Sequence, residues 1–156
     1  MSYRQAVEMG ALAGLRSMAA PAMVSEHLSR DEGARGRESP LPFLAAPGVA
    51  LGLKVLAAGE MVADKTPWIP DRTSPFPLAG RGVMGALVGA ALSSGEGLRP
   101  EVGAALGGAS AVAAAHAAYQ LRRRLGEATR LPDPLLGAIE DLVVVACGLQ
   151  VLRRRE

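Results

Sequence analysis

The chain has 156 residues, enough for one domain, and a net charge of only +2 with no basic patch interleaved with aromatics, which argues against a nucleic-acid partner. Hydrophobic residues make up 49% and aromatics only 3%, so the apolar mass is Ala, Leu, Val and Gly, the residues of close helix packing in lipid rather than of a soluble core. The single cysteine, Cys147, supports neither a disulfide framework nor a Cys-based metal site, and its apolar neighbours predict a small buried hydrophobe.

Charges segregate between long clean windows. None falls from Leu142 to Leu152, and none from Val102 to Leu121 unless His116 is protonated. The stretch from Leu41 to Gly59 holds only Lys54, and that from Ala11 to Ser25 only Arg16. About 20 apolar residues cross a bilayer as a helix. The expectation is a multi-pass integral membrane protein, with an Ala-rich soluble bundle as the rival. Glu8 and Arg16 interrupt the N-terminal apolar run, so it reads as a retained helix rather than a signal peptide.

In chain order, helix one is expected from Tyr3 to Leu28, with Pro21 as a kink. Residues 29–40 read as a flexible polar loop. Helix two follows from Phe43 to Asp64. Pro67, Pro70, Pro75 and Pro77 make 65–77 a stiff connector. Helix three, Leu78 to Ser94, is short enough to be a tilted span or a re-entrant segment. Helix four covers Pro100 to Arg124, and "LPDP" at 131–134 opens helix five, which ends at Arg153. The whole is an all-α membrane bundle of about five (four to six) spanning or re-entrant helices, in one domain over 1–156.

Four of these helices carry a GxxxG step: Gly10/Gly14, Gly48/Gly52, Gly85/Gly89 and Gly103/Gly107. A spacing of four puts both glycines on one face and lets two backbones approach closely. Packing within one chain and a homo-oligomer contact are both open, and the short third helix favours a subunit contact for Gly85/Gly89. With five spans, Arg4, Lys65, Arg72, Arg81, Arg122, Arg123, Arg124 and Arg130 share one side. Arg30, Arg35, Arg37, Arg99 and Arg153 to Arg155 share the other. The Arg122–Arg124 run after a span favours its own side as cytoplasmic. Acids in helices two and five also suggest an inverted pair of units, helices 1–2 and 4–5, joined by an odd third helix.

The candidate site is a set of charges at membrane depth. Glu60 and Asp64 lie four apart on one helix face, beside Lys65. Glu140 and Asp141 lie within helix five, and Arg16 and Lys54 near the middle of theirs. A lone charge in hydrocarbon costs at least about 2.5–3.5 kcal/mol, so these groups are expected to face inward and pair. Arg16 suits a carboxylate, with Glu60 or Glu140 as its expected partner. His116, with Tyr119 and Gln120, is a further candidate for a polar path. No Ser-His-Asp, HExxH, Walker or Rossmann pattern is present, so no catalytic residue, metal or cofactor is assigned.

Gly59-Glu60, Asp64-Lys65-x-Pro67, Pro70-Asp71-Arg72, Gly80-Arg81 and Gly14-Leu15-Arg16 resemble the pattern of small bacterial membrane proteins grouped as domain of unknown function 4126. The resemblance covers most of the chain and implies a polytopic helical membrane fold, with no established activity. On this reading Pro67, Trp68, Pro70, Asp71 and Arg72 form an interfacial turn after helix two. The residues support a channel or transporter for a small ion or charged solute. The alternatives are a structural or accessory membrane subunit locked by ion pairs, and a lipid-handling protein with Arg122 to Arg124 on anionic headgroups.

Overall fold

The computed structural model describes residues 3–30, 41–63, 75–129 and 132–153. Among them all regular structure is helical: α1 Arg4–Leu15, α2 Ala19–Arg30, a 3-10 turn Pro42–Ala45, α3 Pro47–Ala63, α4 Pro75–Gly95, α5 Pro100–Thr129 and α6 Asp133–Arg153. Helices α3, α4 and α5 open on a proline and α6 carries Pro134 second. Proline fits the first turn because its missing N–H would have no intrahelical partner there. That rule moves the start of α4 back to Pro75, ahead of the expected Leu78, with Pro77 still in the first turn. The rest of the connector, and most of the 29–40 loop, lie outside the described residues.

The expected first helix is two helices, and the break is not at Pro21. Pro21 is the third residue of α2, where its ring needs no donor. The chain leaves the helix at Arg16, which is extended at φ −138° and ψ 108°. It then reverses. Arg16 meets Gly137 and Asp141, Leu12 and Met23 both lie at Gly148, and Gln5 donates to the Val151 carbonyl. Farther along α2, Glu26 and Arg30 border the same cavity as Leu152 and Arg153. So α1 runs antiparallel to α6 and α2 returns parallel to it. The pair is a helical hairpin with its tip at Arg16–Met18. Each arm has 12 residues, about 18 Å, against a hydrocarbon thickness of about 30 Å.

The hairpin's first arm sits in a groove of glycines. Gly10 faces Gly107 and Gly14 faces Ala111, so α1 is parallel to α5. Gly85 faces Gly107 and Ala111, and Gly89 faces Gly103, so α4 is antiparallel to α5. A Cβ on Gly10, Gly14, Gly85, Gly89 or Gly107 would collide with the facing backbone. The expected subunit contact at Gly85/Gly89 is therefore corrected: that face is filled by α5 of the same chain. Gly48 and Gly52 differ, with nothing within 4 Å of either. Met9, Ala13, Val88, Leu92 and Ala111 close the core around these contacts.

The remaining helices are looser. α3 runs antiparallel to α2, with Leu44 beside Ser25, Lys54 beside Glu26 and Glu60 beside Ser17. It buries only Ala50 and Ala57 and turns Leu51, Val55, Leu56 and Val62 outward. α6 buries Leu136, Val144, Val151 and Leu152 on one stripe and exposes Leu142, Val143, Leu149 and Cys147. Cys147 is thus not the buried hydrophobe expected from its neighbours, because the stripe that packs inward misses its position.

Three helices, α4, α5 and α6, are long and apolar enough to cross a membrane. Helix three, expected to be short and a candidate for re-entry, is the 21-residue α4; the helix that turns back is the first. The turn also corrects the sidedness. Tyr3 accepts from the Arg99 N–H and Gln5 reaches Val151, so Arg4 stands with Arg30, Arg99 and Arg153 and not with Arg122 to Arg124. Arg81 leaves the surface count altogether, being buried.

The direction of travel gives two halves of three helices each. α1, α2 and α3 run one way, back, and the same way again; α4, α5 and α6 do so in the opposite sense. Their first helices share a hexapeptide pattern, Met9-Gly10-Ala11-Leu12-Ala13-Gly14 and Met84-Gly85-Ala86-Leu87-Val88-Gly89. In each half the third helix sends an ion pair to the second, Lys54 to Glu26 and Glu140 to Arg122. The expected 1–2 and 4–5 pairing is replaced by this 3 + 3 division, because the first predicted helix is itself a hairpin.

The glycine contacts predict a sharp contrast between positions. Gly107→Ala should destabilise the protein in detergent by about 1–3 kcal/mol through backbone overpacking. Gly52→Ala should change it by no more than about 0.5 kcal/mol. Thermal unfolding of the two variants checks this.

Candidate functional site

A helical hairpin inside a bundle has a chemical problem at its tip. The last carbonyls of α1 and the N–H groups that lead into α2 have no helical partners. The Glu60 carboxylate from α3 answers half of it. Its Oε1 accepts from the Ser17 N–H at 2.9 Å and the Ser17 hydroxyl at 2.8 Å, and its Oε2 accepts from the Met18 N–H at 2.8 Å. A helix start is normally capped by the residue just before it. Here a carboxylate from another helix does so, and its charge also suits the positive end of the α2 dipole.

Arg16 occupies the other side of the tip and is 1% exposed. Its Nε donates to Asp141 Oδ1 at 2.5 Å, and an Nη donates to the Gly137 carbonyl at 3.4 Å. Gly137 and Asp141 are four apart and present one face of α6 to the guanidinium. On the neighbouring position, Glu140 accepts from Arg122 of α5 at 3.3 Å. Arg81 of α4 is buried within electrostatic reach of Glu60, Glu140 and Arg16. Among the described residues, three cations and three carboxylates drawn from the tip, α3, α4, α5 and α6 thus form one group with equal numbers of each charge. Balance and pairing make such charges tolerable away from water.

Several expected members are elsewhere. His116 is exposed on α5, with Gln120 exposed and Tyr119 partly so, and none of them joins the group. Lys54 keeps its ammonium outside, paired with Glu26 at 2.9 Å. The Arg122–Arg124 run is divided, since Arg122 turns to Glu140 and Arg123 pairs with Glu127 at 3.1 Å. Asp64, Lys65, Pro67, Trp68, Pro70, Asp71 and Arg72 lie outside the described residues. Arg16 has a carboxylate partner as expected, but it is Asp141 rather than Glu60 or Glu140. Sequence reasoning missed Ser17 as the group that engages Glu60. It also placed Arg81 at a helix boundary; the first-turn proline rule at Pro75 would have set Arg81 well inside α4.

The chain is thus an all-helical bundle with a charge-locked hairpin. It belongs to the family described as Domain of unknown function (DUF4126), whose model matches residues 5–152. No curated protein and no solved structure matches it.

The lock has a double-mutant signature. Arg16→Ala should cost about 3–5 kcal/mol by leaving Asp141 buried without its guanidinium. The double variant Arg16→Met/Asp141→Leu should recover most of that loss. Chemical denaturation in detergent measures both.

Proposed function

We propose that the chain is a multi-pass protein of a bacterial inner membrane that binds and passes a small ion or charged solute at the tip of the α1–α2 hairpin. The observation that carries this reading is that a carboxylate on another helix holds the turn that leads into α2. A proton or cation that claims Glu60 releases the Ser17 and Met18 N–H groups ahead of α2, and an anion can take the place of Glu60 there. The cap is exchangeable in a way that a residue of the same chain turn would not be. Interrupted helices whose ends meet charged groups, built into two halves of opposite direction, are how many carriers form a site that opens to either side. The 3 + 3 division and the shared hexapeptide support that plan.

The roles follow from position. Glu60 is the exchanging group. Arg16 and Asp141 anchor the tip. Arg81, Glu140 and Arg122 set the field around Glu60, so a proton or cation taken up there leaves an excess of positive charge in the group. The apolar outer faces of α3, α4 and α6 meet lipid. Self-association is proposed through α3, whose Gly48 and Gly52 meet nothing within 4 Å among the described residues.

One specific observation favours a second reading, a structural or accessory membrane subunit. Both Glu60 oxygens are engaged and the charges balance, which suffices to lock helices without any solute.

Glu60→Gln keeps the shape and removes the charge. In proteoliposomes it should abolish pH- or cation-dependent solute flux while the protein remains folded. Flux that persists would defeat the assignment of Glu60, and a wild type silent across a broad ion screen would favour the structural subunit. The hairpin is tested separately. Single cysteines at positions 4 and 30, in a Cys147→Ser background, should react with an impermeant maleimide from the same side of the membrane; labelling from opposite sides would mean α1 and α2 form one crossing.

A further inference from the structure

At the open end of the hairpin, away from Arg16, the helices part. A cavity of about 400 Å³ lies between α2, α3 and α6. Its rim carries Arg30, Lys54 and Arg153 around a single carboxylate, Glu26. Glu26 holds the Lys54 ammonium at 2.9 Å and also binds the Arg30 guanidinium, so both cations are fixed on either side of it. Arg153 adds a third positive charge, and among the described residues no carboxylate pairs with it. Among the described residues, three cations against one acid leave the rim with a formal charge of +2. The floor is apolar, formed by Ala22, Met23, Leu149 and Leu152. A second cavity of about 440 Å³ shares Leu149 and Arg153 and continues past Ala146 along the outer face of α6.

We propose that this groove binds an anionic phospholipid, its phosphate among Arg30, Lys54 and Arg153 and one acyl chain along Met23, Leu149 and Ala146. The chemistry asks for both parts of such a molecule. A guanidinium presents a fork that fits phosphate oxygens, and a lysine supplies a point charge beside it. A free phosphate would use the rim and leave the apolar floor uncovered. A zwitterionic lipid would bring its own cation to a rim already in excess of positive charge. The groove also runs onto the exposed apolar side of α6, where lipid chains are the available solvent if the membrane reading above holds. Bound there, the lipid would bridge α2, α3 and α6. Of these, α6 packs only sparsely against α2 and scarcely meets α3, so a lipid there would tie α6 to the α2–α3 pair that holds Glu60 at the hairpin tip.

Nanodiscs test this directly. Wild-type protein in phosphatidylcholine nanodiscs should gain several degrees in Tm as phosphatidylglycerol replaces part of the phosphatidylcholine. Native mass spectrometry should show about one retained phosphatidylglycerol per chain. Lys54→Gln/Arg153→Gln should lose at least half of the gain and the retained lipid, whereas Arg123→Gln/Arg124→Gln, at the opposite end, should keep both. An equal gain in the two double variants overturns the proposal. So does a full gain from inorganic phosphate added to phosphatidylcholine nanodiscs, which would assign the rim to a free anion. A protein that enters nanodiscs but shows no headgroup preference defeats this site alone, while one that never enters them defeats the membrane reading as well.

Discussion

The backbone at Arg16–Met18 has to find hydrogen-bond partners inside the protein, and the rest of the architecture is arranged around that need. A continuous helix satisfies its own groups; a tight hairpin between two helices cannot. Glu60 has to reach Ser17 and Met18, so α3 must run beside α2 with its far end at the tip. Asp141 has to reach Arg16, so α6 must begin at the tip and descend between the arms. Both arms are thereby placed against the same helix, and the chain order of directions follows.

The glycine contacts solve a different problem, how to seat a short arm firmly without large side chains. α1 has 12 residues and no aromatic within it. It makes up for its length by backbone proximity to α5, where Gly10 and Gly14 meet Gly107 and Ala111, and α4 approaches the same surface from the other side. Close backbones gain dispersion contacts along the whole arm, and lipid offers no competing drive to separate them. The tightly packed α1–α4–α5 group and the looser α2–α3–α6 group are consequently different materials. The first is glycine-lined. In the second, α2 and α3 pack through apolar residues and are tied by Glu26–Lys54 at one end and Glu60–Ser17 at the other, while α6 touches them sparsely and a cavity opens at the Glu26–Lys54 end. This group carries Glu60.

The charge arrangement couples the two groups. Arg16 belongs to the tip, Arg81 to α4 and Arg122 to α5, while all three carboxylates come from α3 and α6. The cations thus sit on the rigid side and at its end, and the acids on the looser side. Any change in the protonation or occupancy of an acid alters an attraction across the boundary between the groups.

What the sequence determined by itself was the material and the parts. Clean apolar windows of Ala, Leu, Val and Gly between charge clusters require helices that meet one another closely, and the windows over α4, α5 and α6 were legible from length and charge alone. The expectation that Arg16 is buried and paired also followed from its position inside such a window, whereas Lys54, expected to face inward on the same ground, is exposed. Only the tertiary structure decided the pairing. Whether Arg16 meets Glu60 or Asp141 depends on which way the chain turns after Leu15, and residues 3–28 read equally well as one long helix. Local propensity is silent there, since Arg, Ser and Met tolerate both helix and turn. The reversal is a choice made by long-range partners: Glu60 is 42 residues from Met18 and Asp141 is 125 residues from Arg16. Sequence periodicity cannot carry information across such separations. The same reason explains why Cys147 faces outward and Arg81 inward: each is set by which stripe of its helix a neighbour covers.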